Sequence, residues 1–217
     1  FTGVRPLRYS DVSATVQVSR DHLCAVTEPT GEVRFPVYSM IGGKWTTFRA
    51  FAEQVTDRVL AHFGRQRQAE TERLPIGGGK GFPKDAAARR QWLDRVGDQT
   101  LLAEDRLNTL FERYGTRAEP IARFLVAEQD EPLENHPGYT RREIEFIARN
   151  ESVTHLDDLV LRRTAIALLG ELSAPLLSEL AALVGSVRDW SSEQTEAEIG
   201  RTRELLADRF GIRVATQ

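Results

Sequence analysis

The strongest constraint on this chain is a change of hydrophobic period around residues 33–48. Val33-Arg34-Phe35-Pro36-Val37-Tyr38-Ser39-Met40-Ile41 reads as a strand interrupted by proline, so bent or at a sheet edge. Gly42-Gly43 breaks the strand, and from about Trp45 the period becomes helical. Phe48, Phe51, Ala52, Val55, Val59 and Phe63 recur on one face, which predicts a helix with one buried side, stopped at Gly64. Strand, glycine turn and helix in this order bring unpaired backbone N–H groups to a helix start, where an anion is favoured.

The remaining sequence arranges itself around that unit. Shorter strands are predicted at Thr15–Val18 and Leu23–Thr27, with a turn at Pro29-Thr30-Gly31. Residues 65–83 are polar and glycine-rich and are assigned as a linker. Beyond them the pattern is helical, over 85–96, 103–114, 118–129, 140–150, 156–169, 174–187 and 192–209. Thr140 with Glu143 three residues on resembles a capping box, and Pro175 suits a helix start. The expected class is α+β: a short N-terminal strand region with one long helix (1–64), a linker (65–83), then an all-α C-terminal domain (84–217).

Charge and cysteine content narrow the function. A formal charge of -3 and a pI of about 5.9 give no reason to expect nucleic acid. Cys24 is the only cysteine, so an internal disulfide and a cysteine zinc cluster are both ruled out, and a reducing compartment is the simplest reading. The four histidines, His22, His62, His136 and His155, make no metal spacing, so no metal is expected. No apolar run approaches a membrane span. The chain opens at Phe1 without Met and is expected to be a fragment.

Gly42-Gly43-Lys44-Trp45-Thr46-Thr47 is the segment richest in chemistry. The glycines allow close backbone approach to a ligand, the helix start behind them carries partial positive charge, and Lys44 adds a full one. The pattern alone leaves two readings open: a site for an anion, or a tight turn with an exposed lysine. It is not a P-loop, because Tyr38 stands where the first glycine belongs and Trp45 where Ser or Thr belongs. Gly77-Gly78-Gly79-Lys80-Gly81 follows no predicted strand and reads as flexible linker. No G-x-G-x-x-G is present, so the chain lacks a dinucleotide fingerprint. Arg5, held extended by Pro6, and Arg20 have the planar donor geometry that grips phosphate; a surface salt bridge is the plain alternative, with Asp21 beside Arg20. Glu143, Glu151, Asp157, Asp158, Arg162 and Arg163 read as helix-surface salt bridges and caps.

In order, Thr2-Gly3-Val4-Arg5-Pro6-Leu7, Val18-Ser19-Arg20-Asp21 and Gly42-Gly43-Lys44-Trp45-Thr46-Thr47-Phe48-Arg49 resemble the FAD-dependent glycerol-3-phosphate dehydrogenases. That family reads Gly-Gly-Lys, a variable residue, then Thr-Thr-Tyr-Arg; Phe48 replaces the tyrosine here. The resemblance continues through Leu74-Pro75, Gly77-Gly78, Tyr114-Gly115, Glu151-x-Val153, Asp158-Leu159 and Arg162-Arg163-Thr164. Gly-x-Arg-Pro alone is shared with amine and amino-acid oxidases; the Gly-Gly-Lys and Arg-Arg-Thr blocks are more specific.

The resemblance implies a flavoprotein that oxidises sn-glycerol 3-phosphate to dihydroxyacetone phosphate by hydride transfer to FAD, with electrons passed to a quinone or another acceptor. It implies that Arg5, Arg20 and Lys44 bind substrate and that Gly42, Gly43, Lys44, Trp45, Thr46 and Thr47 face the cofactor. It places the main FAD-binding domain upstream of Phe1, so the fragment is expected to be inactive alone, and it names no general base. Residues 1–64 become the tail end of the FAD and substrate-binding domain. A cytoplasmic protein, peripheral on the inner face of the cell membrane when full length, and a homodimer are the accompanying expectations. Two rivals remain: a helical interaction module without catalysis, which needs none of these cations, and a flavin oxidase of amines or amino acids, which needs no phosphate clamp.

Overall fold

The computed structural model of the chain describes residues 21–214, and the chain divides between Pro75 and Ile76 into two compact units. In the first, β1 (Leu23–Thr27) and β2 (Val37–Ile41) pair antiparallel, with Leu23 opposite Ile41 and Thr27 opposite Val37. The second strand is shorter than the 33–41 expected. It starts directly after Pro36, which has no N–H to give to a ladder. The strand expected at Thr15–Val18 lies outside the described residues. After β2 a 3-10 turn, Trp45–Thr47, leads into α1 (Phe48–His62), and Gly64 at φ 64° ends the helix with its N–H bonded to the Ala61 carbonyl.

The face of α1 behaves differently from its periodicity. Phe51 is buried, stacked on the His22 ring at 4.4 Å, and Arg58 donates to the Cys24 carbonyl at 2.9 Å, which ties the helix to β1. Phe48 and Phe63, on the same stripe, are 53% and 68% exposed. A 3.6-residue period marks a face that can be buried; along this one Phe51 is buried, Val55 and Val59 are half-buried, and Phe48, Ala52 and Phe63 are exposed. The chain after α1 folds back on the helix. The Arg49 guanidinium donates to the Thr71 and Leu74 carbonyls, and Glu53 accepts from the Thr71 N–H at 2.7 Å and its hydroxyl at 2.8 Å.

The second unit is helical: α2 (Ala86–Thr100), α3 (Glu104–Tyr114), α4 (Ala118–Val126), α5 (Arg141–Asn150), the short α6 (Leu156–Asp158), α7 (Ala174–Arg188) and α8 (Ser192–Phe210). Local signals set the starts. Asp85, Thr140, Ser173 and Ser191 each accept a backbone N–H from the first helical turn, and Ser191 with Gln194 makes a reciprocal capping box. Two apolar clusters form the core. One joins α2, α3 and α4 through Val96, Leu107, Leu110, Ile121 and Leu125; the other joins α5 to α8 through Ile144, Ile147, Leu159, Leu180 and Leu206. The chain is thus α+β at its start and all-α after it. Among the described residues no helix is long and apolar enough to cross a membrane.

The helix expected over 156–169 is the one clear departure. After α6 the chain enters a π turn, Leu159–Arg163, and Thr164 is extended at φ −129°. The Leu159 carbonyl accepts both the Thr164 N–H at 2.9 Å and the Thr164 hydroxyl at 3.0 Å, a five-residue closure that the following residues do not propagate.

Candidate functional site

The Gly42–Thr47 segment links β2 to α1 by a turn that its sequence requires. Gly42 and Gly43 have φ of 74° and 104°, a region that L side chains rarely adopt. A Cβ on Gly42 would meet the Asp21 carbonyl oxygen at 3.0 Å, so the glycine also permits close passage of the segment before β1. Thr47 closes the turn. Its hydroxyl accepts from the Lys44 N–H and donates to the Lys44 carbonyl, both at 3.2 Å, while the Thr47 N–H bonds the same carbonyl at 3.0 Å. The N–H groups of Trp45 and Thr46 precede this first helical bond.

Lys44 is exposed, and among the described residues no carboxylate lies within 4.0 Å of its ammonium. Gly42, Gly43, Lys44, Thr46 and Thr47 therefore present a positively charged turn next to His22, whose Nε2 is 3.0 Å from the Gln54 side-chain oxygen. The two arginines assigned to the same role, Arg5 and Arg20, lie outside the described residues.

In the second unit Glu143, expected in a surface salt bridge or cap, is a buried hub. Glu143 has no exposed surface. Its carboxylate accepts from Arg113 at 2.9 Å, from Arg106 at 2.5 Å and from the Tyr114 hydroxyl at 2.6 Å. Burial, then the Glu143 charge, pushes the Tyr114 phenol far above its ordinary range, so it stays a donor. Only half of the expected capping box forms: the Thr140 hydroxyl accepts the Glu143 N–H at 3.3 Å, but the Glu143 side chain turns inward to α3. Asp157 is buried as well. Burial pushes its carboxyl up, but hydrogen bonds from Arg162 and Arg201 outweigh this and hold it below the usual carboxylate range. The signal that could have found Glu143 is its place on the apolar face of α5, one residue before Ile144 and four before Ile147.

A family model described as the C-terminal domain of alpha-glycerophosphate oxidase matches residues 69–195, more than half of the 217. The chain belongs to this family. The alpha-glycerophosphate oxidase C-terminal domain here takes in Gly77–Gly79, the Glu143 cluster, the π turn and α7. Similar curated proteins extend the likeness. Glycerol-3-phosphate dehydrogenase 2 of Mycobacterium tuberculosis is 25% identical over 203 residues, 92% of this chain and 33% of that protein. A probable glycerol-3-phosphate dehydrogenase of Encephalitozoon cuniculi is 26% identical, covering 99% of this chain and 33% of its own length, so the match takes in both units. Glycerol-3-phosphate dehydrogenase of Pseudomonas tolaasii is 29% identical over 77% of the chain and 32% of its own. The chain spans about a third of the length of these curated relatives.

Proposed function

We propose that this chain supplies the substrate-phosphate side of the active site in an FAD-dependent enzyme that oxidises sn-glycerol 3-phosphate to dihydroxyacetone phosphate. The observation that carries the reading is the Gly42-Gly43-Lys44 turn. Two successive glycines at positive φ precede a helix start, and the lysine beside them has no carboxylate within ion-pair distance among the described residues. Its family membership and relatives named glycerol-3-phosphate dehydrogenase supply the substrate class.

The turn suits one edge of a flavin ring: Gly42 and Gly43 offer backbone without side chains, and the charge at Lys44 and the helix start favours an anion. FAD, when bound, supplies the hydride acceptor. Around it, Arg5 and Arg20 grip the substrate phosphate through paired N–H donors, and Lys44 adds a point charge on the side of the substrate oxygens. The chain spans about a third of its relatives' length, and on this reading the main FAD-binding domain lies in the rest of the full-length protein. Electrons pass on to a quinone or another acceptor; with a membrane quinone, the inner face of the cell membrane is the working surface of a cytoplasmic protein.

Anaerobic addition of glycerol 3-phosphate to the full-length flavoprotein, followed by visible absorbance, tests the reading. Bleaching by glycerol 3-phosphate, with none by amines or amino acids, is expected. Bleaching by an amino acid and none by glycerol 3-phosphate overturns it.

A further inference from the structure

A cleft of about 470 Å³ lies wholly within the second unit, between the Gly77–Gly79 turn, the end of α3 and the π turn. Four arginines line it, Arg113, Arg117, Arg162 and Arg163, against a single lining carboxylate, Glu151. We propose that this cleft binds a phosphate monoester whose organic part is apolar or aromatic.

The hydrogen bonds leave donors in excess. A guanidinium carries five N–H donors. Arg117 uses Nη1 on Glu151 at 2.9 Å. Arg162 uses one nitrogen, Nη1, for both Asp157 at 2.8 Å and Asp158 at 2.9 Å. Arg113 uses Nη1 for both oxygens of Glu143, at 2.9 and 3.2 Å. Among the described residues Arg163 Nε is buried without a hydrogen-bond acceptor; the Glu151 Oε2 atom is 4.0 Å away, beyond hydrogen-bond reach. A buried donor left unmet is costly, and a phosphate, with several acceptor oxygens, meets paired guanidinium donors directly.

The rest of the lining gives the ligand its other half. Phe82, Phe146, Ile121 and Ile147 make an apolar wall, and the volume exceeds what a lone phosphate fills. The backbone is held for the purpose. Gly78 passes so close to α3 that a Cβ would sit 1.8 Å from the Tyr114 carbonyl oxygen, and the Thr116 hydroxyl donates to the Gly78 carbonyl at 2.8 Å. Arg162 and Arg163 come from the π turn, a local widening of the helix that recurs at functional sites. Nothing in this inference uses Lys44, so it stands or falls apart from the proposed function.

Calorimetric titration of the 217-residue chain with phenyl phosphate and with inorganic phosphate, at matched ionic strength, tests it. Phenyl phosphate is expected to bind more tightly than inorganic phosphate, and Arg117→Gln or Arg163→Gln to weaken it at least about tenfold. Arg117 is 45% exposed, so its variant keeps the test valid if Arg163→Gln misfolds; circular dichroism of both reports folding. A third arm uses phosphatidylcholine vesicles containing phosphatidic acid. Arginine-dependent vesicle binding assigns the same phosphate chemistry to a lipid headgroup, and binding of phenyl phosphate in solution assigns it to a soluble ester. No binding in any arm above a chloride control, or unchanged affinity in both variants, overturns the proposal.

Discussion

At the scale of residues, Glu143 ties α5 to α3 through three polar contacts inside the helical unit. Two guanidinium groups and a phenol converge on one carboxylate with no solvent exposure, so its removal strands both cations. Arg106 and Arg113 keep 19% and 25% exposure, which moderates the loss. Glu143→Gln is expected to cost about 3 kcal/mol in urea unfolding; a change under about 0.5 kcal/mol would contradict the hub. The sequence shows Thr140 and Glu143 at capping-box spacing and half of that box exists. The inward turn of the side chain was not legible, because its partners lie 29 to 37 residues away in sequence and reach it only once α3 and α5 have both packed against α4. Of the residues proposed to bind substrate, Lys44 falls on a turn that two adjacent glycines at positive φ dictate, and a local glycine pair is legible in sequence.

Among the elements, starts were more legible than ends: the helix expected over 85–96 runs on to Thr100 and the one expected over 118–129 stops at Val126. Asp85, Thr140, Ser173 and Ser191 cap where their side chains allow, a local effect that a short window of sequence contains. The break after Arg163 depends on one carbonyl accepting two groups of Thr164, and periodicity carries no trace of that. Gly77–Gly79 teaches the same lesson from composition: three glycines suggest flexibility, but here they allow two backbones to touch. A Cβ on Gly115 would lie 2.6 Å from the Gly78 carbonyl oxygen, and one on Gly78 closer still to Tyr114. Gly78→Ala is therefore expected to lower stability by more than about 2 kcal/mol, whereas Gly200→Ala, within α8 and with nothing in 4 Å of its Cβ, raises it by up to about 1 kcal/mol. Thermal unfolding of the two variants checks the contrast; equal effects would remove the close-approach explanation.

For the whole molecule, acid sensitivity follows from carboxylates held below their ordinary range in both units. The Thr71 backbone N–H lowers Glu53, hydrogen bonding from Arg95 lowers Glu119 to about 2, and the arginines around Asp157 outweigh its burial. Depressed folded values mean that the unfolded chain takes up protons first. The stability they contribute is complete above the unfolded carboxylate range and is lost as pH falls from about 4 towards 2. Tm is expected to be flat from neutrality to about pH 5 and to fall below it, less steeply in Glu119→Gln; an unchanged Tm down to pH 2 would contradict the ion-pair assignment. At this scale the order of elements and the family were legible, because glycine turns, caps and the Arg-Arg-Thr block are written locally. The exposure of Phe48 and Phe63 on the apolar stripe of α1 was not, because periodicity identifies an apolar face and says nothing of how deeply each residue on it is buried. The central claim is that Lys44 works with Arg5 and Arg20 on a phosphate ester. Steady-state kinetics of the full-length enzyme with glycerol 3-phosphate test it most directly: Lys44→Ala and Arg5→Ala should each lower kcat/KM at least about tenfold, roughly 1.4 kcal/mol of transition-state stabilisation, and unchanged kcat/KM in both would contradict the account.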